Sequence, residues 1–157
     1  MLNERNVNLA VAAGADANAA ATGEKVLRTK YLLEAFDKDG KLKWTDYFWN
    51  AVVTEGLNDS LDKHFKAAAY TAAWYVALTD SAPSFAPGDT MSSHPGWSEI
   101  TAYTEGTRPT LSLGAITSGS VDNSASRAVF SVNANGTAIG GAFVCADNTK
   151  GGSTGVL

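Results

Sequence analysis

Two rhythms organise the hydrophobic positions of this chain. Residues 26–36 and 41–53 carry large apolar side chains on either side of Asp37-Lys38-Asp39-Gly40. Asp-Gly at such a reversal predicts a β-hairpin, because glycine takes positive φ without steric penalty. In the second strand Leu42, Trp44 and Asp46 share one face and Lys41, Lys43 and Thr45 the other. That alternation then gives way to Tyr47-Phe48-Trp49, a cluster expected to be covered on both sides. From residue 54 the period lengthens. Leu57, Leu61, His64 and Phe65 recur at helical spacing, with Asn58, Asp59, Asp62 and Lys63 mostly opposite, which predicts a short helix over 54–66. Thr54 is its expected N-cap, with Glu55 in a favourable first-turn position.

Strand character returns at 74–78, and the pattern predicts further strands over 110–116, 128–132 and 139–146, with a short ordered piece over 97–103. The loop 81–97 holds Pro83, Pro87 and Pro95, 117–126 is a polar connection, and 133–136 is a turn. Short strands, tight turns and one helix make the expected fold class mainly β. The expected architecture is a β-sandwich or small barrel with an N-terminal hairpin, one short helix and an extended N-terminal arm. Residues 1–24 form that arm and 25–157 a single β-rich domain. Positions 12–22 are nearly all Ala, Gly, Asn, Asp and Thr, too small to offset their ordering entropy by their own packing. Leu2, Val7, Leu9 and Val11 are the apolar beads with which such an arm would dock on a neighbouring subunit. Residues 151–155 read as a flexible connection, and Val156-Leu157 as the start of a strand that either continues in a longer chain or is completed by a neighbour.

Composition narrows the function. Of 157 residues only 18% are charged, below the ~25% of ordinary globular chains, and small neutral residues take their place. The net charge is −4. Lys38, Lys41 and Lys43 alternate with Asp37, Asp39 and Asp46, so no basic patch forms and direct nucleic-acid binding is not expected. The single cysteine, Cys145, lies in an apolar run and reads as a buried small hydrophobe. No apolar run approaches ~20 residues, so no membrane span is expected. The N-terminus lacks the pattern of a secretory signal.

The search for chemistry is largely negative. His64 falls on the apolar helical stripe, where packing is the expected role. His94 lies in a loop beside Pro95 and is expected to be exposed or bonded to backbone. Neither histidine has metal-ligand spacing, no serine sits in a Gly-x-Ser-x-Gly elbow, and an apolar setting would blunt the Cys145 thiol. Asp37-Lys38-Asp39-Gly40 lacks the closing glutamate of a calcium loop. Paired carboxylates such as Glu99 and Glu105 are what a wall hydrolase could use, but both sit among solvent-type neighbours. No catalytic residue, metal or cofactor is expected.

The stretches "WYVALTD", "PGDTMSSHPGWSEITAYTEGTRPTLSLGA" and "VDNSASRAVFSVNANGTAIGGAFVCADNTKGGSTGVL", together with the hairpin "EAFDKDGKLKWTDYFWNAVVTEGLNDSLDKHF", resemble a family of small virion-associated structural proteins of tailed bacteriophages. The resemblance covers about residues 25–157. It implies a non-enzymatic virion protein, made in the host cytoplasm and resident in the particle. The leading expectation is a capsid decoration (cement) protein that binds the major capsid protein or other virion proteins and forms homo-oligomers. The alternative is a tail or fibre component that meets the host surface through Trp97 and Tyr103. The expected contact residues are Leu2, Val7, Leu9 and Val11 of the arm, the aromatic cluster Tyr47, Phe48 and Trp49, and Trp97 of the loop.

Overall fold

The structure, a computed structural model, describes residues 7–16 (as backbone), 28–50, 52–70, 73–80, 82–118, 120–134 and 136–157. Eight strands and one helix are present among them. They run β1 (Val7–Asp16), β2 (Arg28–Phe36), β3 (Leu42–Asn50), α1 (Thr54–Phe65), β4 (Tyr75–Thr79), β5 (Glu99–Ile100), β6 (Ser120–Asp122), β7 (Ala128–Val132) and β8 (Gly141–Cys145). The fold is mainly β, and all strand pairs among the described residues are antiparallel.

β2 and β3 form the hairpin that Asp-Gly signals. Gly40 takes φ 78°, and the Asp37 carboxylate accepts the N–H groups of Asp39 and Lys41, each at 2.9 Å. That carboxylate is therefore occupied as a turn-builder, which leaves a metal role unnecessary. From Trp44 onward the side chains of the hairpin alternate, but one extra residue at Lys43 forms a bulge that sets Leu42 in register with Phe36, off the face of Trp44 on which the sequence pattern placed it. Tyr31, Leu33 and Ala35 are buried, and the Phe48 ring stacks on Tyr31 at 5.2 Å.

The larger sheet has the order β3-β2-β1-β6, with β7 also paired to β1. β6 and β7 thus run along one side of β1 as an interrupted strand. This overturns the expectation of a separate arm for residues 7–16. Leu9 is in register with Ala35 and Phe130, and Val11 with Leu33 and Ala128, all four of which are buried. Val7 is in register with Val132. The backbone of this segment is consumed within its own chain. The rest of the expected arm, Leu2 included, lies outside the described residues.

The smaller sheet has the order β5-β4-β8. Val76 and Leu78 of β4 share one core cluster with Tyr31, Leu33, Phe130 and Val132 of the larger sheet, so the two sheets pack face to face as a sandwich. Ala77 belongs to a second cluster with Met91, Trp97, Phe143 and Cys145, against which Leu157 packs. The small sheet is covered on both faces, which is why β4 is apolar at successive positions instead of alternating. The loop 82–97 forms the outer cover. Its two ends cross closely enough that a Cβ on Gly96 would lie 2.1 Å from the Ser84 carbonyl oxygen.

Two further expectations change. Residues 111–116 form no strand; only Thr110 makes an isolated bridge, to Tyr75. The C-terminal residues are docked on the chain itself: the Ala146 N–H donates to the Val156 carbonyl (2.9 Å) and the Leu157 N–H to Glu55 (3.0 Å).

Candidate functional site

The residues that could carry chemistry are occupied elsewhere. Arg108 is fully buried and holds Glu99 in a two-pronged ion pair, Nε to Oε1 at 3.0 Å and a terminal nitrogen to Oε2 at 2.8 Å. The same guanidinium donates to the carbonyls of Asp147 (2.8 Å) and Gly152 (2.7 Å) and reaches the Cys145 sulfur at 3.2 Å. Glu99 is therefore a structural anion and not the solvated carboxylate that the sequence implied. Glu105 accepts the Ser131 N–H at 3.0 Å. Burial pushes its carboxyl up, but the Ser131 bonds and the Lys150 charge outweigh this, and the net shift is downward. A depressed carboxyl cannot serve as a general acid near neutrality. Burial raises the Cys145 thiol, only partly offset by its hydrogen bond to Asp147 and the Arg108 charge. Among the described residues no cluster of His, Cys, Asp or Glu could hold a metal ion, and no helix is long and apolar enough to cross a membrane.

His94 behaves as its loop position implies, its Nδ1 lying 3.0 Å from the Trp97 carbonyl and its ring stacked on Trp97 at 3.8 Å. His64 does not. It is exposed and touches only the edge of Phe65 among described rings.

What remains is surface. Tyr47 and Trp49 are 58% and 61% exposed, contrary to the expectation of a cluster covered on both sides. Phe48 between them is half-buried and packs on the core. The reason is that the alternation holds from Trp44 to Trp49, in continuous register with β2: the outward positions there simply carry aromatics. Lys30 on β2 places its ammonium 4.5 Å from the Tyr47 ring and 5.9 Å from that of Trp49, a cation–π arrangement that keeps this face cationic as well as aromatic. No described strand pairs with the far side of β3. The Tyr47 N–H instead donates to the Asp46 carboxylate at 2.8 Å, which places that N–H on the open edge.

A second surface lies on α1, and its orientation reverses the amphipathic reading. Helical spacing predicts that Leu57, Leu61 and Phe65 pack inward. They are exposed, Phe65 by 75%. The opposite face meets the body of the protein: Asp59 and Lys63 form a largely buried pair at 2.6 Å, Lys63 lies 5.9 Å from the Trp74 ring, and Glu55 holds Leu157. A Cβ on Gly56 would lie 2.9 Å from the Leu157 carbonyl oxygen, so a larger residue there would disturb the docking. The N-cap is Val53, without a side-chain bond, and Thr54 is the first helical residue. The helix start is fixed instead by the Thr54 N–H donating to the Pro87 carbonyl at 2.8 Å.

Trp97, expected at a contact surface, is only 4% exposed. Its indole N–H donates to Asp89 at 2.9 Å, and its ring packs on Phe143 at 4.7 Å. Of the expected contact residues, the structure leaves Tyr47 and Trp49 on the surface, sinks Phe48 and Trp97, and commits the backbone of Val7, Leu9 and Val11 to sheet pairing. The spacing of Leu57, Leu61 and Phe65 marks them as one stripe, but nothing in the sequence signals that the stripe is exposed. No family model, curated protein or solved structure matches this chain.

Proposed function

We propose that this chain is a non-enzymatic structural subunit of a tailed-phage particle, a capsid decoration (cement) protein that stabilises the head by binding its assembled lattice. The observation that carries the reading is the outward apolar stripe of α1. An ordered helix that turns Glu55, Asp59 and Lys63 toward the rest of the chain and Leu57, Leu61 and Phe65 to water is built to be covered by another protein. Tyr47 and Trp49 add a second surface of that kind. Binding that is selective for the assembled shell stabilises it by mass action, by about 2.7 kcal/mol per site at a hundredfold excess over Kd. The alternative role, a tail or fibre component, drew its sugar platform from Trp97 and Tyr103, and both are buried.

The test is a particle-binding assay. Leu57→Ser, Leu61→Ser and Phe65→Ser together are expected to abolish recruitment to phage heads while the circular dichroism spectrum and melting temperature stay near those of the parent. Copies per particle should approach a multiple of the capsid lattice. Undiminished recruitment of the triple variant, or a handful of copies per particle, would refute the proposal.

A further inference from the structure

We infer that the outward face of the β2–β3 hairpin, built from Lys30, Tyr47 and Trp49, is a binding site for an acidic polysaccharide, a chain of uronic-acid sugars. The inference goes beyond the assembly reading: α1 carries that reading, and this one gives the second surface an occupant of its own.

The backbone sets the rings side by side. Tyr47 and Trp49 are in unbroken register with Leu32 and Lys30 of β2, so these four side chains stand on one face of the sheet. The two rings are rooted about 6.4–6.8 Å apart along the strand. Each is more than half exposed even with Lys30 beside it. The core does not draw on them: Tyr31 and Phe48 stack on the opposite face.

Charge selects the occupant. Lys30 holds its ammonium 4.5 Å from the Tyr47 ring centre and 5.9 Å from that of Trp49, and among the described residues no carboxylate pairs with it. The neighbouring charges engage each other, Arg127 being bonded to Glu34. Asp46 lies on the opposite face, in register with buried Leu33. The site therefore offers one cation and two aromatic faces. Among the described residues the Tyr47 hydroxyl and the Trp49 indole N–H are also unbonded. A sugar acid answers each of these. Its apolar C–H face stacks on an aromatic ring, its carboxylate pairs with the ammonium, and its hydroxyls bond the phenol and the indole. Two rings in line along one strand accept adjacent sugars of one chain. The cation–π contacts already hold Lys30 over the rings, so little freedom is lost on binding. A nucleic acid carries a phosphate at every residue and calls for a row of cations; one lysine, in a chain of net charge −4, does not supply it. A run of acidic side chains would satisfy the ammonium but leave both rings to water.

The test is calorimetric titration of the full chain with oligogalacturonate and with the same oligosaccharide methyl-esterified, which keeps the sugar rings and removes their charge. The acid should bind, and the ester about three- to fivefold more weakly. Lys30→Gln should bring the two affinities together. Trp49→Ala should weaken both about tenfold or more, with a melting temperature near that of the parent. Added salt should weaken binding of the acid alone. Absence of oligogalacturonate binding, an ester bound as tightly as the acid, or full affinity in Trp49→Ala overturns the inference. So does polyglutamate or oligothymidylate bound as tightly as the uronate, since the first needs only charge and the second makes the face a nucleic-acid site. The combined Leu57→Ser, Leu61→Ser and Phe65→Ser variant should keep the sugar and lose the heads. Heads recruited by a parent that ignores the sugar overturn this site alone. Sugar bound by a parent with no affinity for heads supports the site and overturns the decoration role.

Discussion

Replacing Arg108 by methionine isolates the interaction on which the C-terminal third of the chain depends. The side chain of Arg108 is fully inaccessible and that of Glu99 nearly so. After the substitution, Glu99 keeps the Gly151 N–H at 3.0 Å but loses both guanidinium bonds. Stranding one member of a buried ion pair costs about 3–5 kcal/mol. The carbonyls of Asp147 and Gly152 also lose their donor, but both residues are partly exposed and water can replace it, so about 1 kcal/mol is added for the two together. The expected loss is about 4–6 kcal/mol, a large share of the 5–15 kcal/mol typical of a folded domain. At about 2–4 °C per kcal/mol for a chain of this size, the melting temperature should fall by roughly 10–20 °C. Urea and thermal denaturation of Arg108→Met read this directly. The double variant Arg108→Met/Glu99→Leu removes the stranded charge and should recover at least ~2 kcal/mol relative to the single change. An Arg108→Met loss under about 1 kcal/mol, or a double variant less stable than the single one, would refute the reasoning.

Three other outcomes follow from the same structure. Trp97→Ala should cost about 3–5 kcal/mol by urea titration, whereas Trp49→Ala should stay within about 1 kcal/mol; equal effects would contradict their opposite burial. The Thr154 hydroxyl and the Thr149 N–H hold the Asp147 carboxyl at about 2, against 3.8 ordinarily. The folded state therefore binds fewer protons than the unfolded chain, so this contribution is complete above pH ~4 and is lost as pH falls through about 2. Acid titration of Asp147→Asn should accordingly show a shallower loss of stability in that window than the parent, and parallel curves would count against the assignment. Cys145 should resist aromatic disulfide reagents at neutral pH until the protein unfolds; immediate labelling of the folded chain would contradict its buried, raised thiol.

The features legible in the amino-acid order are those that local chemistry settles. Asp37 to Gly40 can satisfy their own backbone groups, so the hairpin is visible before any tertiary contact forms. Likewise 128–132 alternates cleanly and is β7, and the spacing of Leu57, Leu61 and Phe65 marks a helix. The alternation Val7, Leu9, Val11 also carried the period of a strand, but the Ala- and Gly-rich residues beside it made it resemble an arm; its register with β2 and β7 supplies the partners that its neighbours in sequence do not. Period says which residues share a face and nothing about what that face meets. Trp49 and Trp97 are the same side chain in opposite environments because one lies on the outer face of an edge strand and the other under the 82–97 loop. The helix stripe is turned outward because Glu55, Asp59 and Lys63 find partners in Leu157, in each other and beside Trp74. Arg108, isolated in sequence, becomes a hub because folding brings Glu99, Asp147 and Gly152 around one guanidinium. Such choices depend on long-range neighbours, whose summed burial and pairing outweigh the preference of any single segment, and so only the assembled sheets could decide them.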